Sequence, residues 1–168
     1  MQDSPSTLSE MAKALVLQLN TFAETNELVG KVKADHISIK CSTNEIFEKR
    51  REGFEFDSTF IYQSIISKRR IAIIGLKDPL QTNVGEIKYL ELSDQKEDRS
   101  QIDRIDHVEL VPTSVSYDDL VASLKSKVEV KEIVRPHHVT HDIVLPSGFI
   151  VRLSKEMLID KIKREELI

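Results

Sequence analysis

The segment Asp35-His36-Ile37-Ser38-Ile39 decides the fold, because its pattern returns as Asp106-His107-Val108-Glu109-Leu110. The two copies are 106 − 35 = 71 positions apart and share the order aspartate, histidine, aliphatic, polar, aliphatic. Alternation of polar and apolar residues is typical of a half-buried strand. We therefore predict that the chain contains one structural unit twice, and that these strands occupy the same place in each copy.

The elements that follow each strand support the duplication. The first copy continues with a helical pattern at 43–54 and strand-like runs at 60–66, 70–77 and 86–92. The second continues with a helical pattern at 117–127 and strand-like runs at 129–134, 142–145 and 149–153. Units of about 60 residues bury too little surface to be stable alone, so the two copies should pack as one domain.

The predicted fold class is α+β, with two βαβββ modules forming a cupped, open mixed β-barrel with outer helices, plus an N-terminal helix. Its expected parts are the N-terminal helix at 1–30, the first module at 31–93, a polar linker at 94–104, the second module at 105–154 and a C-terminal helix at 155–168. The N-terminal helix carries Leu8, Met11, Leu15, Leu19 and Phe22 at helical spacing. This stripe favours packing on the sheet, and a partner-binding role is the alternative.

Composition narrows the function classes. The 168 residues include 24 Lys and Arg against 28 Asp and Glu, a net charge of −4 that disfavours nucleic acid as a partner. The longest nearly apolar run, Ile71 to Leu76, is too short for a membrane helix. One cysteine, Cys41, excludes an internal disulfide, and we find no signal-peptide pattern, so the protein is expected to be cytoplasmic. The oligomeric state stays open.

A metal site is predicted where the two repeated strands meet. His36 and His107 have the parity that faces the interior of the cup, whereas Ile37, Ile39, Val108 and Leu110 face the helices. Glu91, in the fourth strand of the first module, has the same inward parity. Two imidazoles and one carboxylate suit a divalent ion such as Zn, Fe, Mn or Ni and leave positions for substrate.

The sequence resembles the vicinal oxygen chelate superfamily, which includes glyoxalases, extradiol dioxygenases and bleomycin-resistance proteins, and within it the YecM-type family. The segments that carry the likeness to the YecM-type family are 34–38, 51–54, 77–79, 90–92 and 106–109. The resemblance implies metal binding by His36, Glu91 and His107. Relatives with a fourth ligand have a glutamate in the last strand, where this chain has Arg152.

This departure suggests a different use for the second module. Arg152 could hold a substrate carboxylate or phosphate. Glu109 lies on the same face as His107 and is a candidate general base. Tyr89 and Lys40 are candidate donors to an oxyanion. Structural pairing of Glu91 with Lys88, Lys40 or Arg152 is the alternative to metal binding.

The sequence supports three hypotheses about function. The first is a divalent-metal-dependent enzyme, an isomerase, lyase or dioxygenase acting on a small oxygenated molecule. The alternative is a non-catalytic protein of the same fold that binds or sequesters a small molecule, and an interaction protein that uses the N-terminal helix is a third hypothesis.

Several other polar groups are interpreted as structural. The cluster His137, His138 and His141 is expected in a turn with exposed imidazoles, in preference to a second metal site. Cys41 is expected to be a small buried side chain. The charges at 48–52 and the pair Arg69-Arg70 are expected to be solvated.

Overall fold

A computed structural model describes residues 5–136 and 138–166, with side chains from 10 to 164 apart from 137. The elements are α1 (Pro5–Thr25), β1 (Val32–Lys40), α2 (Asn44–Gly53), β2 (Ser58–Ile66), β3 (Arg69–Thr82), β4 (Gly85–Ser93), β5 (Arg104–Pro112), α3 (Tyr117–Lys125), β6 (Lys131–Val134), β7 (Val139–Val144), β8 (Ile150–Leu153) and α4 (Leu158–Glu166). No described helix is long and apolar enough to cross a membrane.

The strands form one open, mixed eight-stranded sheet in the order β2-β3-β4-β1-β5-β8-β7-β6. Within each module the first and fourth strands pair in parallel, as β1 with β4 and β5 with β8. The modules meet where β1 and β5 pair antiparallel. The predicted fold class, two βαβββ modules in an open mixed sheet with an N-terminal helix, is confirmed.

The apolar core lies on one face of this sheet. Ile37, Ile39, Val108 and Leu110 are almost fully buried and cluster with residues of α1, α2 and α3. Helix α1 contributes a stripe centred on Ala12, Val16, Leu19 and Ala23, with Met11 and Leu15 at its border. The side chain of Leu8, which we predicted in this stripe, lies outside the described side chains.

The pairing of β1 with β5 is irregular at both Asp-His steps. One register shift lies between Ala34 and Ile37, and another falls at Asp106, opposite the step from Ser38 to Ile39. A β-bulge rotates neighbouring residues out of strict alternation. In consequence the aspartate and the histidine of each pair can reach each other, although regular strands would point them to opposite faces.

The structure corrects several local expectations. Strand β3 continues through Asp78-Pro79, which we placed in a connection; its pairing with β4 breaks between Gly75 and Leu80, because Pro79 has no N–H to donate. The linker is also more than a connection: Gln101 is buried and its amide nitrogen donates to the carbonyls of Cys41, Ser93 and Asp94.

Two charged segments that we expected to be solvated are tied to the fold. Arg50 is 2% exposed, and its Nη1 donates to the carbonyl of Lys40 and to Asp103 at 3.1 and 3.2 Å. Arg70 Nε donates to Asp94 at 2.7 Å. These polar bonds pair the guanidinium groups with acceptors of the fold, so their alkyl stems can be buried.

Candidate metal centre

Two buried histidines lie side by side at the junction of the modules. His36 is on β1 and His107 is on β5, where it stands opposite Ser38 in the antiparallel pairing. Their ring centroids are 5.9 Å apart and their planes are nearly perpendicular. The structure thus brings together two side chains that are 71 positions apart, as the duplication predicts.

Each histidine is oriented by the aspartate before it. The Nδ1 of His36 lies 2.8 Å from Asp35 Oδ2, and the Nδ1 of His107 lies 2.9 Å from Asp106 Oδ2. A carboxylate accepts the Nδ1–H of an imidazole, which directs Nε2 toward a metal ion; binding of the metal there displaces any proton on Nε2. Neither aspartate was predicted as a site residue.

Two carboxylates approach the Nε2 atoms. Glu91 Oε2 lies 4.0 Å from His36 Nε2, and Glu109 Oε2 lies 3.8 Å from His36 Nε2 and 3.9 Å from His107 Nε2. Ser38 Oγ donates to the other oxygen of Glu91 at 2.8 Å. One ligand atom from each of His36, Glu91 and His107 falls within 4.8 Å of the others.

These separations fit a metal ion. Tetrahedral ligands at about 2.1 Å from zinc are roughly 3.4 Å apart, so small inward movements would complete coordination. Neutral imidazoles with carboxylates are the donor set of Zn, Fe, Mn and Ni sites. The side chains of Glu91 and Glu109 are 20% and 15% exposed, so the cluster is open on the side of the cup.

The charges around the two histidines have different effects. Burial lowers the pKa of His36, but Glu109, Asp35 and Glu91 outweigh burial and raise it to about 9. For His107, burial and the Arg152 guanidinium hold the pKa below its usual value despite the bond to Asp106. Burial alone would raise the pKa of Glu91, yet the two histidines and Ser38 lower it.

Arg152 sits beside the cluster and is already engaged. Its Nε and Nη2 donate to the two oxygens of Asp142, each at 2.8 Å. Its Nη1 lies 3.2 Å from His107 Nε2. The two-pronged face of the guanidinium is therefore occupied by Asp142, and Nη1 alone points to the histidine.

The two other predicted donors have structural contacts. Lys40 Nζ lies 3.0 Å from Asp106 Oδ1, and this ion pair helps to lower the pKa of Asp106 against the opposing effect of burial. Tyr89 is half-buried on β4, with its ring 6.0 Å from that of Phe60.

A cavity of about 480 Å³ opens over this cluster. Glu91 and His107 lie on its wall with Ser38, Lys40, Asp106 and Arg152. The wall also includes Arg135, from the connection between β6 and β7, which sequence reasoning missed. Its position between two short strands gave no spacing signal, whereas the repeated aspartate before each histidine was a signal available for Asp35 and Asp106.

The second histidine cluster does not match our expectation of a turn with exposed imidazoles. His141 is buried on β7, and its Nδ1 lies 2.7 Å from the hydroxyl of Tyr117. That hydroxyl donates to the carbonyl of Leu153, so the hydrogen between Tyr117 and His141 belongs to the imidazole. His138 is exposed in the turn. His137 lies outside the described residues.

The paired βαβββ modules bring two histidines and a glutamate close together in the cup, which is the arrangement expected from the repeated sequence pattern. Comparison with known families then gives a closer assignment. The model of the YecM protein family matches residues 5–158, and the chain belongs to this family. The resemblance to it is confirmed.

Several known proteins are similar to this chain. Protein YecM of Escherichia coli (strain K12) is 28% identical over 108 residues, which cover 62% of this chain and 57% of that protein. The chain thus matches little more than half the length of this curated relative. A solved structural genomics protein, Protein EC4020, has a TM-score of 0.67 and 22% identity, covering 94% of this chain and 92% of that one. Homoprotocatechuate 2,3-dioxygenase from Arthrobacter globiformis has a TM-score of 0.44 and 14% identity, covering 76% and 37% of the two chains.

Proposed function

We propose that this protein binds a divalent metal ion through His36, Glu91 and His107 and acts on a small oxygenated molecule in the cavity above it. The observation that carries this proposal is the convergence of two aspartate-oriented imidazoles and a carboxylate within 4.8 Å. A divalent ion held there would polarise a bound oxygen and stabilise negative charge forming on it. An isomerase, lyase or dioxygenase reaction is consistent with that chemistry.

Several side chains of the protein would have distinct roles at this site. Asp35 and Asp106 fix the imidazoles, and Ser38 holds Glu91 in place. Glu109 Oε2 lies close to both Nε2 atoms, and its side chain is 15% exposed. It is therefore the group positioned to take a proton from a bound molecule.

Metal content tests this proposal directly. The full chain purified without chelator should contain close to one divalent ion, measured by elemental mass spectrometry. His36→Ala and His107→Ala should each weaken metal binding by more than about 100-fold, beyond the 10- to 100-fold cost of losing a residue that only orients a ligand. His138→Ala is the matched control, since this exposed histidine lies outside the cluster, and should keep full occupancy.

One contact favours the alternative of a metal-free binding protein. Arg152 Nη1 lies 3.2 Å from His107 Nε2, so a cation already faces one of the proposed ligand atoms. If wild-type protein and His36→Ala bind metal equally poorly under millimolar Zn or Mn, the enzyme proposal is wrong and the sequestering function takes its place.

A further inference from the structure

Five basic side chains lie on the cavity wall, namely Lys40, Arg69, Lys96, Arg135 and Arg152, and they differ in how they are paired. Arg69 Nη1 donates to Gln101 Oε1 and to the carbonyl of Asp94, and Lys96 is exposed. Arg152 forms two hydrogen bonds to Asp142, and Lys40 pairs with Asp106. Arg135 is half-buried and its side chain donates to a neutral partner, Thr140 Oγ1. Among the side chains described for residues 10–136 and 138–164, no carboxylate lies within 4.0 Å of the Arg135 guanidinium.

A guanidinium in this position has unused binding capacity. It carries five N–H donors, and Thr140 takes one hydrogen bond. The planar fork of a guanidinium fits the two oxygens of a carboxylate or phosphate. Burial and the neighbouring Arg152 also lower the pKa of Arg135, against the opposing effect of Asp142, Glu109 and Glu91.

The position of Arg135 matches the proposed site. It lines the same cavity as Glu91 and His107, so a molecule of modest size can contact both the metal cluster and this guanidinium. Arg152 is a poorer anchor because Asp142 already occupies its fork.

We propose that Arg135 binds an oxyanion, a carboxylate or phosphate, carried by the small molecule that occupies the cavity. The inference rests on the proposed function in one respect, since it takes the molecule in the cavity to be the substrate of the proposed enzyme. It adds that the substrate is anionic and that the β6–β7 connection recognises its charge.

Anion binding to metal-free protein tests this inference separately from metal binding. The probes are inorganic phosphate and malonate, titrated at constant ionic strength into chelator-treated, desalted full chain and followed by nuclear magnetic resonance shifts. Arg135→Gln should weaken binding of the preferred probe by about tenfold or more, the loss of one charge-assisted pair. Arg135→Lys keeps the positive charge but lacks the planar pair of donors, so its affinity for the probe should lie between those of wild type and Arg135→Gln. Arg51→Gln is the control. It removes an equal charge from α2, where Arg51 pairs with Glu55 beyond the end of the helix, and it should bind the probe like wild type.

The outcomes separate the two proposals. Saturable binding that depends on Arg135 supports the inference, and the stronger probe identifies the oxyanion class. Binding that is absent, or is equal in wild type, Arg135→Gln and Arg135→Lys, overturns it. Zn titrations of the same proteins report on the metal proposal alone, because Arg135 is not a ligand and its variants should bind metal normally. Thermal melts check that each variant is folded.

Discussion

The two modules keep the same Asp-His pair but provide their carboxylates from different strands. In the first module, β1 carries Ser38 two residues after the histidine, and the paired position on β4 is Glu91. In the second, β5 carries Glu109 at the equivalent place, and the paired position on β8 is Arg152. Each module therefore gives the cup one histidine and one glutamate, although the glutamates are not equivalent.

The difference also changes what surrounds the glutamate. The hydroxyl of Ser38 donates a hydrogen bond to Glu91. Glu109 is instead paired across the strands with Arg152, whose guanidinium is already bound to Asp142. In the first module the strand position that corresponds to Asp142 is Ile73, an apolar residue. The first module thus fixes the position of a carboxylate, whereas the second module places charged side chains around the entrance of the site.

Exchanging each glutamate for glutamine tests whether their roles differ. We expect Glu91→Gln to weaken metal binding by roughly 100-fold and Glu109→Gln by less than about tenfold, on a scale where residues that only orient ligands cost 10- to 100-fold. The reason is that Ser38 fixes Glu91 as a ligand, while Glu109 stays available for a proton. Competition with a chromophoric chelator measures both affinities. Glu86→Gln, an exposed change on β4, is the control, and a larger loss for Glu109→Gln would reverse the assignment.

The orienting aspartates should behave alike toward metal and differently toward stability. Asp35→Asn and Asp106→Asn should each weaken metal binding by about tenfold, because the Nδ1 hydrogen bond sets the ring and its tautomer. Asp35 Oδ2 also accepts from the backbone N–H of Leu158 at 2.8 Å, at the start of α4. Asp35→Asn should therefore also lower the stability of α4 by about 1 kcal/mol, as for a lost cap.

Limited proteolysis of α4 would reveal that local loss for Asp35→Asn, whereas thermal melts would also respond to the lost Lys40–Asp106 ion pair in Asp106→Asn. Asp118→Asn on α3 serves as the control for a changed surface charge. Equal metal affinity in wild type and both variants would show that the Asp-His pairs have no orienting role.

The smallest expected effect concerns a feature that the modules share. Thr43 Oγ1 accepts from the N–H of Ile46 at the start of α2, and Ser116 Oγ accepts from the N–H of Asp119 at the start of α3, both at 3.1 Å. Thr43→Ala and Ser116→Ala should each cost about 1 kcal/mol in the free energy of unfolding, measured with urea. Ser123→Ala, within α3, should cost less. A large difference between the two caps would mean that the modules contribute unequally to folding.

Much of this architecture could be predicted because a duplicated pattern restricts topology strongly. The parity of Ile37 and His36 assigned them to opposite faces, and the repeat placed His107 beside His36. The same alternation rule could not find Asp35 and Asp106, since it assumes regular strands and both residues sit at bulges. Polar composition likewise suggested a solvated linker, although the amide nitrogen of Gln101 lies within 3.0 Å of three carbonyls where β1 and β4 end.

The hydrogen bond from Leu158 to Asp35 links the end of the chain to the centre of the cup. One carboxylate oxygen serves both a helix terminus and the ring of His36. Linkage is reciprocal, so if occupancy immobilises Asp35 together with His36, we expect it to slow hydrogen exchange at the first amides of α4. Hydrogen exchange in α4 would therefore report binding at His36 even while the reaction is unknown.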